Sequence, residues 1–190
     1  MEIAINIKSS NEKWIGFGFI ILILLTRTHH FGSDILLPDA TLAIIFLVGI
    51  FTLRLYWLVL VIITALLADF YALRILSVSD YCMSLGYWGL IPTYLSVGGI
   101  GYFMTKRYQP IGAIYFFLGG LIAISIAFAL SNIFWFAFSE QVSTLSFIEF
   151  VGEIKKYFLP YLGYSMFYLF VAWGSMFFLK QLTHNKKSVV

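Results

Sequence analysis

The sequence predicts an all-α integral membrane protein, a bundle of about six transmembrane helices, and three observations predict it. Of the 190 residues, 61% are hydrophobic and 11% charged, more apolar surface than a soluble chain of this size can hide from water. Apolar runs of spanning length recur along the chain, separated by short polar links. Basic residues divide unequally between alternate links, the pattern of a membrane protein with one fixed orientation. The 19% aromatic content also fits, because Trp and Tyr favour the headgroup region. Residues 1–190 are expected to form one transmembrane domain.

The first span is expected at about 14–28, after Glu12 and Lys13. It closes on Thr26-Arg27-Thr28-His29 without a small-residue cleavage site, so it is read as a retained helix and not a cleavable signal peptide. The second, at about 39–53, is short, hence tilted or partly buried. The third is expected at 55–76, the fourth at 87–104, the fifth at 111–138 and the sixth at 157–179. Links as short as Arg54 and 106–110 force antiparallel neighbours. In the fifth span Gly119, Ala123, Ala127 and Ser131 recur at helical spacing. Such a stripe lets another backbone approach closely, and internal packing is its expected use.

Residues 139–156 differ in character. Leu145, Ile148, Val151 and Ile154 recur every third residue, while Glu149, Glu153 and Lys156 take other faces. Ser146 with Glu149 three positions later fits a capping box. The segment reads as an amphipathic helix on the outer surface, running through Pro160 into the last span.

Orientation follows from charge. With the N-terminus inside, Lys8, Lys13, Arg54, Lys106, Arg107, Lys180, Lys186 and Lys187 are cytoplasmic, and only Arg27, Arg74, Lys155 and Lys156 lie opposite. Eight against four places both termini in the cytoplasm. No basic run interleaves with aromatics outside the spans, so nucleic acid is not an expected partner. One cysteine, Cys82, excludes an internal disulfide and a thiolate zinc cluster. No hydrolase triad, phosphate loop or nucleotide motif appears, so this chain is not expected to power transport itself.

The unusual polar residues gather on the outer side, where a small-molecule site is expected to open. Asp69 is the strongest signal, because a carboxylate inside an apolar helix is costly unless it is paired or faces a water-filled cavity. Its alternatives are a ligand site or a structural ion pair with Arg27 or Arg74. His29 and His30 close the first span and, taken alone, read as interfacial residues near a helix end more readily than as ligands. Cys82 sits in the polar outer loop 77–86, where a thiol can ionise or serve a soft metal as an axial ligand. It has no Cys or His at close ligand spacing, so a metal would have to arrive in its own macrocycle. Tyr81, Tyr87, Trp88, Phe31 and Trp135 are candidate aromatic walls, or members of an ordinary interfacial belt.

The run Arg27-Thr28-His29-His30-Phe31, then Leu37-Pro38-Asp39-Ala40, then Asp69, Cys82 and Tyr87, resembles the BtuM-type cobalamin transporters of Gram-negative bacteria. These are related to the S-components of energy-coupling-factor (ECF) vitamin transporters. The resemblance implies an S-component-type six-helix bundle in the bacterial inner membrane that takes up cobalamin. It implies that Cys82 ligates the corrin cobalt and displaces its upper ligand, which would make it the one catalytic residue, by decyanation. It further implies that His29 or His30, Asp69 and Tyr87 belong to the pocket, with Lys155 or Lys156 as the basic residue of the last outer loop. Cobalamin and lipids are the implied partners, and an energising ECF module is a further one. The first span departs from many S-components, since Gly16 and Gly18 are followed four residues on by Ile20 and Leu22.

Two other classes compete with this reading. One is a thiol-dependent membrane enzyme with Cys82 as nucleophile and His29 or His30 as base. The other is a ligand-free structural or sensory module whose outer polar residues pair among themselves. The topology is testable at once. Reporter fusions at Lys187 and within 106–110 should report cytoplasm, and fusions at Ser79 or Ser143 the periplasm. A periplasmic C-terminus would overturn both the orientation and the outward site.

Overall fold

A computed structural model describes residues 2–3, 9–27, 37–51, 54–75 and 84–187. Among them the protein is almost entirely helical. Six α-helices follow in order: α1 (Ser9–Arg27), α2 (Thr41–Ile50), α3 (Leu55–Arg74), α4 (Leu90–Arg107), α5 (Ala113–Phe138) and α6 (Phe147–Lys187). Three of these, α3, α5 and the Phe147–Leu182 part of α6, are long and apolar enough to cross a membrane. The chain is therefore a helical membrane protein by length and composition. Helix α1 begins on Ser9, Ser10, Asn11, Glu12 and Lys13, and α4 carries Pro92, Thr93, Ser96 and four glycines with glycine cap Gly89 included. Both are therefore more polar than the other three.

Helix α2 is the centre of the molecule. All ten of its residues are buried, although its length of about 15 Å is half the hydrocarbon thickness of a bilayer. Expected as a short span at 39–53, it is an internal element covered by protein. Phe46 meets Phe116 of α5 edge to face at 5.9 Å. The Ile50 carbonyl, left without a partner at the end of α2, accepts from Thr105 Oγ1 of α4 at 2.7 Å. Helices α2 and α4 touch through glycine. A Cβ on Gly101 would strike the Phe46 carbonyl, and one on Gly49 would strike the Gly98 carbonyl and sit 2.7 Å from the Tyr102 nitrogen.

The small-residue stripe of α5 also packs inward. Ala123 and Ala127 are fully buried, and the space over Gly119 is filled by Met104. Neighbouring Gly120 receives Leu169 of α6. In a bilayer, where apolar contact with lipid offers no driving force for association, this close approach supplies the dispersion contact that holds helices together.

The two ends of the bundle differ. At one end a two-residue strand, β1 (Glu2–Ile3), pairs antiparallel with β2 (Ile111–Gly112), tying the N-terminus to the link between α4 and α5. At the same end Glu12 of α1 accepts from the Arg54 backbone N–H at 3.1 Å and pairs with its guanidinium at 3.4 Å. Its carboxylate thus reaches the N-terminus of α3, where negative charge is favoured. Lys106 and Arg107 close α4 there as well. The opposite end gathers Arg27, Asp69, the start of α4 and the start of α6.

One local expectation changes in detail. The chain enters α4 through a 3₁₀ turn at Leu85–Gly89, capped by Ser84 Oγ accepting from the Gly86 N–H at 3.2 Å, so Tyr87 lies on that turn and not in the α-helix. Residues 147–156 and the last span form one continuous helix through Pro160. At 41 residues, roughly 60 Å, α6 outreaches a bilayer. Its start is capped as the Ser146–Glu149 pattern predicts, the Ser146 N–H and Oγ donating to the Glu149 carboxylate at 2.8 and 2.7 Å.

The glycine contacts predict an ordered set of stabilities. Gly49→Ala and Gly101→Ala should each lose about 3 kcal/mol, because the added methyl meets backbone that cannot yield. Gly99→Ala, with nothing within 4 Å, should be neutral or gain up to about 1 kcal/mol of helix propensity. Thermal unfolding of the three variants in detergent checks the order. Equal loss in all three would mean that helix flexibility, and not close approach, is what these positions require.

Candidate functional site

At the end opposite the β1–β2 pair, a polar network joins four separate elements. Arg27, in the last turn of α1, donates from Nε to Asp69 Oδ1 and from Nη2 to Asp69 Oδ2, both at 2.6 Å. This is the two-pronged guanidinium–carboxylate geometry, directional as well as strong. Its Nη1 donates to Asp39 Oδ2 at 3.0 Å and to Thr41 Oγ1 at 3.1 Å. Asp39 in turn accepts from the Thr41 backbone N–H at 2.9 Å, so it holds the entry to α2. Tyr87 donates its hydroxyl to Asp69 Oδ2 at 2.7 Å. Tyr94 of α4 lies beneath the guanidinium, its ring centre 6.0 Å from Cζ.

Arg27 is 8% and Asp69 5% exposed, so neither charge is solvated and each depends on the other. The link before α2 is fastened from both sides. The Ala40 N–H donates to Thr26 Oγ1 at 3.2 Å, and Tyr168 of α6 donates its hydroxyl to the Pro38 carbonyl at 2.6 Å. The second candidate partner of Asp69, Arg74, is exposed at the end of α3, with its guanidinium over the Phe70 ring at 5.7 Å.

Beside this network lies a cavity of about 620 Å³, walled by the 3₁₀ turn and start of α4, the end of α5, the Glu140–Val142 turn and the first part of α6. That volume is in the range of sites that enclose a drug-sized ligand or a part of a larger one. Tyr87, Phe128, Trp135, Phe150, Tyr157 and Tyr161 give it an aromatic lining. Ser131, Asn132, Gln141, Glu153 and Lys156 add polar groups. Tyr87 belongs to both features: its ring is on the cavity wall and its hydroxyl is fixed by Asp69.

The sequence-predicted residues are distributed unevenly over this geometry. Tyr87 lines the cavity. Asp69 does not; both its oxygens are engaged, and it reaches the cavity only through Tyr87. Lys155 is exposed away from the lining, whereas its neighbour Lys156 is on it and pairs with Glu153 at 3.2 Å. His29, His30 and Cys82, with the proposed wall residues Phe31 and Tyr81, lie outside the described residues. Trp135 lines the cavity, while Trp88 is 58% exposed and off it. Among the described residues no three His, Cys, Asp or Glu side chains gather to hold a metal ion.

Sequence reasoning did not find Asn132 and Gln141. Asn132 carries a readable signal, an amide inside an otherwise apolar span. Gln141 carries none, since a glutamine in an outer turn is ordinary. The geometry defines a class: a helical membrane protein with a polar-anchored, aromatic-lined cavity at one end. The chain matches no protein-family model and no curated protein sequence.

The network predicts that Asp69→Asn costs about 3 kcal/mol, the order expected when one partner of a buried pair is removed. Tyr87→Phe, which loses only one hydrogen bond to a charged group, should cost about 1.5 kcal/mol. If the two act through one bond, the double variant should cost less than the sum. Unfolding in detergent reads all three values, and strict additivity would show that Tyr87 is not held by Asp69.

Proposed function

We propose that this chain is a cobalamin-binding uptake protein of the bacterial inner membrane, a six-span bundle of the ECF S-component type with both termini cytoplasmic. In this reading α2 crosses only the bundle interior, and its neighbours, not lipid, cover its ends. The gathering of Lys13, Arg54, Lys106 and Arg107 at the end opposite the cavity supports the orientation. The observation that carries the reading is the aromatic-lined cavity beside the Arg27–Asp69–Tyr87 network. A corrinoid is broad and amphipathic, and an apolar cup with a few fixed polar groups suits it.

The loop bearing Cys82 supports the same site. Helix α3 carries Asp69 of the network, and Gly86, a few positions after Cys82 in the sequence, is on the cavity wall. A thiol in that loop would bind cobalt through a sulfur lone pair. On cyanocobalamin the exchange balances without a redox partner: the sulfur–cobalt bond forms, cyanide leaves with the electron pair that held it, and the thiol proton passes to solvent or cyanide. His29 or His30, soon after Arg27 in the sequence, is the further ligand residue of this reading. Lys156 is the better placed basic residue of the last outer loop, in preference to Lys155. Asp69 then serves the ligand indirectly, by holding Tyr87. Energy for transport would come from outside this chain, with an ECF module as the partner to test.

Purified protein incubated with cyanocobalamin should retain the corrinoid through gel filtration, with shifted absorption bands and released cyanide. Cys82→Ala should abolish the shift and retain cyanide, and Cys82→Ser should rescue poorly, because a hydroxyl is a harder and less acidic ligand. The shift should weaken as pH falls, since protons compete with cobalt for the sulfur. Corrinoid bound with identical spectra in all three proteins would sink the cobalt-ligand role. Failure to retain corrinoid at all would sink the uptake reading.

A further inference from the structure

The polar groups of the cavity are mostly neutral. Of the lining residues only Glu153 and Lys156 are charged, and they pair with each other. The rest of the polar lining is amide and hydroxyl, and its hydrogen bonds to the protein fix what remains for a ligand. Asn132 gives its Nδ2 to the Phe128 carbonyl at 2.8 Å. Since a carbonyl cannot pair with another acceptor, the nitrogen is the atom turned to the helix, and Oδ1 remains an acceptor. Ser131 donates its hydroxyl to the same carbonyl at 3.2 Å and is also hydrogen-bonded to the Tyr161 side chain, so it is engaged within the protein. Gln141 Oε1 accepts from Ser139 Oγ, which leaves Nε2 as a donor. The wall thus offers a neutral acceptor, Asn132 Oδ1, together with neutral donors: the second Nδ2 proton of Asn132, Gln141 Nε2 and the hydroxyls of the lining tyrosines.

That complement matches a primary carboxamide, whose NH₂ donates and whose carbonyl accepts. A carboxylate fits less well, because at neutral pH it can use only the donors and has no proton for Asn132 Oδ1. No unpaired cation on the described wall compensates its charge. We infer that the cavity reads a carboxamide-bearing edge of its ligand through Asn132 and Gln141 and rejects the corresponding carboxylate. The inference rests on the corrinoid reading above and deepens it, since a corrin ring carries a periphery of carboxamides that can be replaced by acids without changing cobalt or macrocycle. The protein's net charge of +3 works in the opposite sense, because long-range attraction favours the acid. A preference for the amide would therefore have to come from local contacts.

The test compares cobinamide with cobyrinic acid, the same corrin bearing carboxylates, each titrated into detergent-purified protein and followed by corrin absorbance. Wild type should bind cobinamide tighter by about tenfold or more, the scale of one hydrogen-bonding group left unsatisfied. Asn132→Leu should bring the two within about threefold by weakening cobinamide, and Asn132→Gln should restore part of the gap. Gln141→Leu, in an exposed turn, carries the same test if the α5 variant does not purify as a single species. Equal binding of the two corrinoids by wild type would overturn the inference and leave the uptake reading standing. Discrimination unchanged in the leucine variants would overturn the assignment to these residues. Binding of neither corrinoid would overturn the uptake reading and the inference together.

Discussion

A guanidinium among packed helices has to find its counter-charge inside the protein, and Arg27 finds two. Asp69 engages it with both oxygens, and Asp39 takes the remaining nitrogen together with Thr41. The ends of α1 and α3, the entry to α2 and the turn before α4 are thereby fixed at one depth. No helix alone could supply this, because an uncompensated charge at such burial costs several kcal/mol. The rest of that end follows from it: Tyr87 has its position because Asp69 has a lone pair left over, and the cavity has one wall because Tyr87 has its position.

The opposite end uses a different device with a similar effect. Glu12 reaches from α1 to the first turn of α3, and a two-residue strand pair closes the N-terminus against the link before α5. Between the two ends, contact replaces charge. Gly49, Gly98 and Gly101 bring α2 and α4 to backbone distance, and Gly119 and Gly120 admit Met104 and Leu169. The molecule is therefore pinned by polar groups where water or headgroups are near and by close packing where they are not. That division is what a bilayer demands of a helical bundle.

Cavity and network differ in chemistry, and that difference assigns them different work. The network is saturated: its donors and carboxylates spend themselves on one another, which suits a fixed frame. The cavity wall is not, since Asn132 and Gln141 each keep hydrogen-bonding capacity after their contacts within the protein. Residues that hold shape and residues that can meet a ligand are thus neighbours, joined at Tyr87.

Much of this was legible from composition and period. The apolar runs, the capping box at Ser146 and Glu149, the inward stripe of α5 and the exceptional status of Asp69 are all local or periodic properties, and such properties are what a sequence carries openly. It did not choose between Arg27 and Arg74 as the partner of Asp69, because both lie near the same depth and only the approach of α1 to α3 decides. Nor did it reveal that α2 is internal, since a short apolar run reads the same facing lipid or protein. Lys155 and Lys156 were indistinguishable until the rotation of α6 was known, one residue being a turn of about 100° on a helix. Asn132 and Gln141 lie on separate elements and become a pair only when α5 and its following turn face one cavity. The sequence by itself determined the solvent, the class of fold and the residues too polar to be idle. Tertiary structure decided which of those residues meet, because burial and proximity belong to pairs of elements and not to any one of them.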